Sequence, residues 1–324
     1  MAAADGQRFT IRVEQPDLPQ WSTRVDKYLT DSVGLLGRSQ LQKRCRSLRV
    51  NGVEVKASRK IKHGDEIEIE LDPEPPVGVS AEDIELTVIF ENQDVVVINK
   101  PRGMVVHPGA GNWSGTLVHG LLFHVSALSD DPDTLRPGIV HRLDKDTSGV
   151  MICAKHSAAK EFLSAQFAAR RTRKRYVAIT RGTPRPLRGS VGGTISRDPA
   201  NRKRFRVQPA GGKPSRTDYH VARVYGDYAL THLAPRSGRT HQLRVHMAHL
   251  GTPILGDSLY SRADSRFSEA PLCLHALALS IRLPAESEAR TFCAPIPADM
   301  LAIIKALHQA AAGNQGWTQA QRRR

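Results

Sequence analysis

His141-Arg142-Leu143-Asp144-Lys145-Asp146-Thr147-Ser148-Gly149 follows Pro137-Gly138-Ile139-Val140 and runs straight into Val150-Met151-Ile152-Cys153-Ala154. The segment opens on turn residues and closes on a glycine, and a strand is expected over Gly149–Ala154. Within the segment an arginine stands two positions before an aspartate. On extended backbone that spacing sends Arg142 and Asp144 to the same side. A cation beside a carboxylate suits an anionic substrate that must be held and then attacked.

Outward from this loop the chain alternates strand signals with few helices. Val95-Val96-Val97-Ile98 is a continuous apolar run, as in a central strand, and ends in the turn cluster Asn99-Lys100-Pro101-Arg102-Gly103. Further strands are expected at Tyr176–Thr180, Tyr219–Val224 and Tyr228–Leu233, and helices at Ser157–Ala169 and Pro297–Leu307, the second opening on proline. Strand after strand with few crossover helices predicts an α+β fold with a mixed, largely antiparallel central sheet.

Upstream, Asp72-Pro73-Glu74-Pro75-Pro76-Val77-Gly78 reads as a linker, because proline removes donors and stiffens an extended path. The expected organisation is an extension or strand over 1–21, a small basic domain over 22–72, a Pro-rich linker over 73–83, a main domain over 84–312 and a flexible basic tail over 313–324. In the small domain, Arg24–Leu29 has helical spacing, and Ser39 is placed to cap a second helix through Leu41 to Arg46 that carries Lys43, Arg44 and Arg46. Val50-Asn51-Gly52-Val53 carries a hairpin turn, and Gly64–Leu71 alternates like a half-buried strand.

The chain has 324 residues, enough for two domains. Its net charge of +15 favours polyanions. Aromatics make up only 5%, so base stacking cannot be widespread. No apolar run approaches the roughly 20 residues of a membrane span, and the N-terminus lacks the charged start and apolar core of a secretory signal. A cytoplasmic protein with no membrane partner is expected. Cys45, Cys153, Cys273 and Cys293 form no Cys-x-x-Cys pair, against a disulfide framework or zinc. His141-Arg142-Leu143-Asp144 is not a kinase loop, since no glycine-rich phosphate loop stands upstream. Gly211-Gly212-Lys213-Pro214 lacks the Ser or Thr of a phosphate loop. His241, His246 and His249 lack the spacing of a metal-binding helix.

The nonapeptide resembles the catalytic motif of the RluA-type pseudouridine synthases, enzymes that isomerise uridine in structured RNA. Four more segments resemble that family's motifs in the same order: Ile98–Gly103 with Val106-His107-Pro108-Gly109, Lys174-Arg175-Tyr176-Val177-Ala178, Ser237–His246, and Leu274-His275-Ala276 after Gly256-Asp257-Ser258-Leu259-Tyr260. The N-terminal pattern resembles the S4 RNA-binding domain. Val105–Asn112, Ile195-Ser196-Arg197 and Ala294-Pro295-Ile296-Pro297 with Asp299-Met300 look most like the branch acting on large-subunit (23S) ribosomal RNA, in the loop of the stem that bridges the subunits. The runner-up is the branch that modifies other uridines of the same RNA. An alternative of another class is a non-catalytic RNA-binding or ribosome-assembly factor.

The resemblance implies an S4-like RNA-binding domain followed by a pseudouridine synthase domain. It makes Asp144 the catalytic carboxylate, Arg244 its partner, and Tyr176 a ring against the uracil that helps remove the C5 proton. Leu243 would floor the base pocket, and Arg142 would fill the gap left by the flipped uridine, with His141 beside it. The reaction breaks C1′–N1, turns the uracil and joins C1′ to C5. It is redox-neutral and hydrolyses nothing, so no cofactor is called for. A carboxylate can attack or stabilise charge at the sugar carbon. Attack on C1′, attack on the base and assisted elimination all remain open. Arg170, Arg171, Arg173 and Lys174 lead into Tyr176 and would bind phosphate, as would Arg44 and Arg46 in the first domain, and the run Arg202–Arg206 with Arg197 is a further basic stretch. The expected partner is 23S ribosomal RNA or the large subunit, and the expected state a monomer.

Overall fold

The computed structural model describes residues 7–14, 21–37, 40–41, 44–72, 79–109, 112–125, 128, 135–201 and 203–321, with the backbone alone for 313–321. The chain divides into two compact units, Met1–Val77 and Gly78–Arg324. The proline stretch 73–78 lies outside the described residues.

In the first unit, β1 (Gln7–Arg12), β3 (Cys45–Val50), β4 (Val53–Glu54) and β6 (Glu66–Leu71) form an antiparallel sheet in the order β1-β6-β3-β4. A ribbon of β2 (Thr23–Arg24) and β5 (Lys60–Ile61) accompanies it. The alternation of β6 buries Ile67, Ile69 and Leu71. Asn51 and Gly52 both take positive φ, the turn that the Asn-Gly pair favours. The expected first helix is α1 (Val25–Lys27), which loosens into a π-helical turn over Tyr28–Ser32. Residues 40, 41 and 44 are helical, while Ser39 and Lys43 lie outside the described residues. The second helix is shorter than expected, because β3 starts at Cys45 to bury Leu48 and Val50 against β6. Arg46 therefore sits on a strand rather than on a helix.

Among the described residues, the second unit is built on a ten-stranded sheet. Its strands are β7 (Val88–Glu91), β8 (Val95–Lys100), β9 (Ser148–Ala154), β10 (Arg173–Arg181), β11 (Arg188–Arg197), β12 (Phe205–Gln208), β13 (Lys213–Tyr225), β14 (Tyr228–Pro235), β15 (Leu274–Arg282) and β16 (Ala289–Cys293). Their order is β12-β11-β13-β14-β10-β15-β9-β8-β7, with β16 against β15. β9 and β15 pair parallel and the other ladders are antiparallel, the mixed sheet expected from the sequence. The helices are α2 (Leu117–His124), α3 (Ser157–Ala168), α4 (Gln242–His249) and α5 (Ala298–Gln321).

The two halves of this sheet differ in pattern because they differ in cover. β9 is buried at every residue, and its side chains share one core with Leu117 and Leu121 of α2 and Leu163 of α3. β13 and β14 mostly alternate, with the inward residues packed in a core with Met247 of α4 and Met300 of α5. Gly149 explains why the opening stretch closes on glycine. Its φ is +120°, and a Cβ there would stand 2.3 Å from the Ala276 carbonyl oxygen, so only glycine admits the parallel pairing with β15.

Two helices are longer or more numerous than the sequence suggested. α5 continues past residue 312, where a flexible tail was expected, as far as Gln321. The alanine-rich run before Gly313 favours continuation at a glycine cost of about 1 kcal/mol. α4 lies inside the Ser237–His246 segment, whose arginine and histidines hide any apolar stripe. Among the described residues, no helix is long and apolar enough to cross a membrane.

Candidate active site

Residues 141–144 belong to no helix or strand, and the chain turns at Lys145-Asp146 before entering β9. Leu143 is buried, while Arg142 on one side of it is exposed and Asp144 on the other is half-buried. The two-residue spacing thus places the arginine and the aspartate on the open side, as the sequence predicted.

Lys100, at the end of β8, fixes this loop. It is fully buried, and its Nζ donates to the carbonyls of Pro101 at 2.8 Å, Met104 at 2.9 Å and Lys145 at 3.1 Å. Burial pushes its pKa down to about 8, partly offset by the charges of Asp146 and Asp144. Three donors meeting three carbonyls satisfy the ammonium completely. The Gly103 amide adds a bond to the Lys145 carbonyl at 2.9 Å, and Thr147 closes the turn on the Asp144 carbonyl at 3.1 Å.

Arg244, in the first turn of α4, faces this loop. Its Nη1 lies 3.8 Å from Asp144 Oδ2. Its firmer partner is Asp257: Nε and Nη2 donate to the two carboxylate oxygens at 2.7 and 2.8 Å. Asp257 is buried and also accepts the amides of Leu259 and Tyr260. Burial works against the Arg244 charge, but Asp257's hydrogen bonds and charge outweigh it and hold its pKa above the ordinary value. Its guanidinium also lies 5.2 Å from the centre of the Tyr260 ring. The sequence paired Arg244 with Asp144 alone; the structure shows one guanidinium shared by two carboxylates.

Tyr176 on β10 and Leu243 on α4 complete the floor. Burial, and then the charge of Asp144, push the Tyr176 phenol well above its usual range. The phenol is therefore protonated at neutral pH. Leu243 is buried at 7% exposure. Arg142, Asp144, Tyr176, Leu243 and Arg244 line one cleft of about 1290 Å³. That exceeds the usual 300–1,000 Å³ of a small-molecule pocket, so the cleft has room for more than one nucleotide. Arg170, Arg171 and Arg173 stand exposed along it, with Lys174 half-buried among them. Burial and the neighbouring Arg170 lower the pKa of Lys174.

The remaining expected residues are placed differently. His141 borders the cleft, but its ring stacks on Phe167 with centroids 4.5 Å apart, and its Nε2 accepts the Ile152 amide. Burial and Lys174 push its pKa down to about 3, so it stays neutral and braces β9. Arg142 Nη1 lies 3.3 Å from His107 Nε2 of the Val106–Gly109 segment. Arg44 is buried in the first unit, donating to the Asp72 carbonyl at 3.0 Å. Arg46 is exposed, 3.8 Å from Glu70 and 3.9 Å from Asp72. Neither presents the free helical cation expected from the sequence. Arg202 lies outside the described residues. His246 is bonded to Thr217 and Ser215, and His241 to Tyr260, so both rings are committed to protein partners.

Lys100 and Asp257 stand in the quoted segments, but nothing in the sequence marks their roles. The available signals were a lysine ending an apolar strand and a Gly-Asp pair that begins seven residues after the end of α4.

The chain matches the RNA pseudouridylate synthase family over residues 94–249. It is 42% identical over 266 residues to the ribosomal large subunit pseudouridine synthase D of Borreliella burgdorferi, covering 80% of this chain and 82% of that one. It is 40% identical to an uncharacterized RNA pseudouridine synthase of Bacillus subtilis, covering 90% and 96%. Among solved structures it resembles human RNA pseudouridylate synthase domain containing 4, with a TM-score of 0.56 and 27% identity, covering 68% of this chain and 93% of that one.

Proposed function

Because this chain belongs to the RNA pseudouridylate synthase family, we propose that it converts specific uridines of large-subunit (23S) ribosomal RNA to pseudouridine, in the manner of the D-type synthases it is similar to. The observation that carries this reading is Asp144, held 3.8 Å from an Arg244 that Asp257 anchors, in a cleft bordered by Arg170, Arg171 and Arg173.

In this reading the target nucleotide leaves the RNA stack, at a cost of a few kcal/mol. Arg142 takes the vacated place, which suits a planar and always-charged guanidinium. The uracil lies against Tyr176 above Leu243. The Asp144 carboxylate, 3.8 Å from Arg244, acts on the sugar or the base. C1′–N1 breaks, the uracil turns, C1′–C5 forms, and the C5 proton leaves while N1 gains one. The protonated Tyr176 phenol can accept or relay that proton only by passing its own onward. The N-terminal unit acts as an S4-like RNA-binding domain, and the protein works as a monomer in the cytoplasm, where ribosomal RNA is.

The test is Asp144→Asn in the full chain, read by pseudouridine formation and by RNA affinity. Loss of pseudouridine with affinity retained is expected; undiminished turnover would remove Asp144 from the chemistry. The target is tested by mapping pseudouridines in 23S RNA from a strain lacking this protein. An intact bridging-stem loop there would point to other uridines of the same RNA.

A further inference from the structure

β11, β13, β14 and β10 are neighbours in the sheet, and among the described residues several side chains on one face of them are exposed. Val191, Thr217, Tyr219 and Leu233 point inward, while Arg188, Arg216, His220, His232 and Arg175 are exposed. The register sets these side chains in rows. Arg188, His220 and His232 oppose one another across three strands. Ser190, Asp218 and Ala234 form the next row. Arg216 opposes Gly192, and the Arg236 backbone N–H donates a hydrogen bond to the Arg216 carbonyl at 2.9 Å.

Asp218 organises this face. It accepts Arg236 Nε at 2.6 Å and the Ser190 hydroxyl, and it lies 3.4 Å from Arg216 Nε. Ser190 in turn accepts Arg216 Nε at 3.1 Å. The Ser190 bond and the two arginines hold the Asp218 carboxyl below its usual range. Two guanidiniums are thus oriented by one carboxylate while remaining largely exposed, at 67% and 66%. Of the residues named, four arginines face a single carboxylate. Arg216 and His220, four positions apart on one strand, stand roughly 13 Å from each other. Arg175 and Arg236 also line the cleft, so the face continues the lining of the candidate active site.

We propose that this sheet face is a second RNA-binding surface, which grips the phosphates of the RNA flanking the target uridine. The proposal rests on the function proposed above. Charge complementarity and continuity with the cleft favour RNA as the occupant. An acidic protein is disfavoured, because the outward residues named include no aromatic or large apolar anchor of the kind that protein interfaces use.

The test compares the full chain with its Arg188→Gln/Arg216→Gln variant, neither residue lining the cleft. Three probes are used: an in vitro transcript of 23S RNA, a short hairpin holding only a target loop, and assembled large subunits. With the long transcript, the variant is expected to bind more weakly, with a salt slope shallower by roughly two. Arg216→Glu should weaken binding further. The short hairpin should bind wild type and variant alike. Equal affinity for the long transcript would overturn the proposal, and so would an equal loss on transcript and hairpin. A loss seen only with assembled large subunits would assign the face to a ribosomal protein and also overturn it. Pseudouridine formation by the wild type on the same transcript is scored separately. Its absence would strike the proposed function while leaving the binding comparison intact.

Discussion

Two carboxylates touch the Arg244 guanidinium, and their exposure separates their work. The Asp257 side chain is fully buried and makes the bidentate pair, whereas Asp144 keeps 21% of its side chain exposed at 3.8 Å. Asp257 is the anchor, and Asp144 is the group a substrate can reach. Replacing Asp257 by Asn keeps an acceptor for the Leu259 and Tyr260 amides but leaves Arg244 buried with less compensation. Breaking such a pair costs about 3–5 kcal/mol. Asp257→Asn should therefore lower stability in urea unfolding by about that amount and reduce kcat more than RNA affinity. A variant with wild-type turnover would remove Asp257 from the positioning of Arg244.

At the scale of elements, α4 is held to β13 by a histidine that must stay neutral. His246 is fully buried, with Nδ1 2.8 Å from Thr217 Oγ1 and Nε2 3.0 Å from Ser215 Oγ. Burial, with a smaller push from His249, lowers its pKa to about 4. The unfolded chain takes up this proton near pH 6.5, the folded chain only near pH 4. Between those values the unfolded state binds more protons, so stability falls as pH drops through the window. The full loss is on the order of 3 kcal/mol. Urea midpoints at pH 7 and pH 4.5 should differ more for wild type than for His246→Gln, which does not titrate. Equal pH dependence in both would show that this histidine is not what couples α4 to acid. The element bears on the site, because α4 also carries Leu243 and Arg244.

Over the whole molecule, a net charge of +15 predicts strong but salt-sensitive RNA binding. The block Arg170, Arg171 and Arg173 stands at the cleft, where phosphate contacts would position the target. Neutralising all three to Gln should weaken affinity and make the salt slope shallower by about three. An unchanged slope, read by filter binding across a salt series, would mean that these arginines face only solvent. The first unit spends its cations differently. Arg44 is buried on the Asp72 carbonyl, while Arg46 stays 62% exposed beside Glu70 and Asp72.

The sequence by itself determined the sheet-rich α+β class and the order of the motifs, and its resemblance pointed to the residues proposed for the chemistry. Apolar runs at Val95–Ile98 and Gly149–Ala154, and alternation in β13 and β14, are local signals that burial on two faces or one writes directly into residue types. Asp144 was singled out by its resemblance to the family motif, and its two-residue spacing from Arg142 puts both in the same cleft. The tertiary structure alone decided that Arg244 belongs first to Asp257, that Lys100 ties down the Asp144 loop, and that His141 braces β9. Each of these depends on which groups meet across long separations in the chain. A buried charge takes whichever partner the packing brings within hydrogen-bond reach, and periodicity carries no record of that choice.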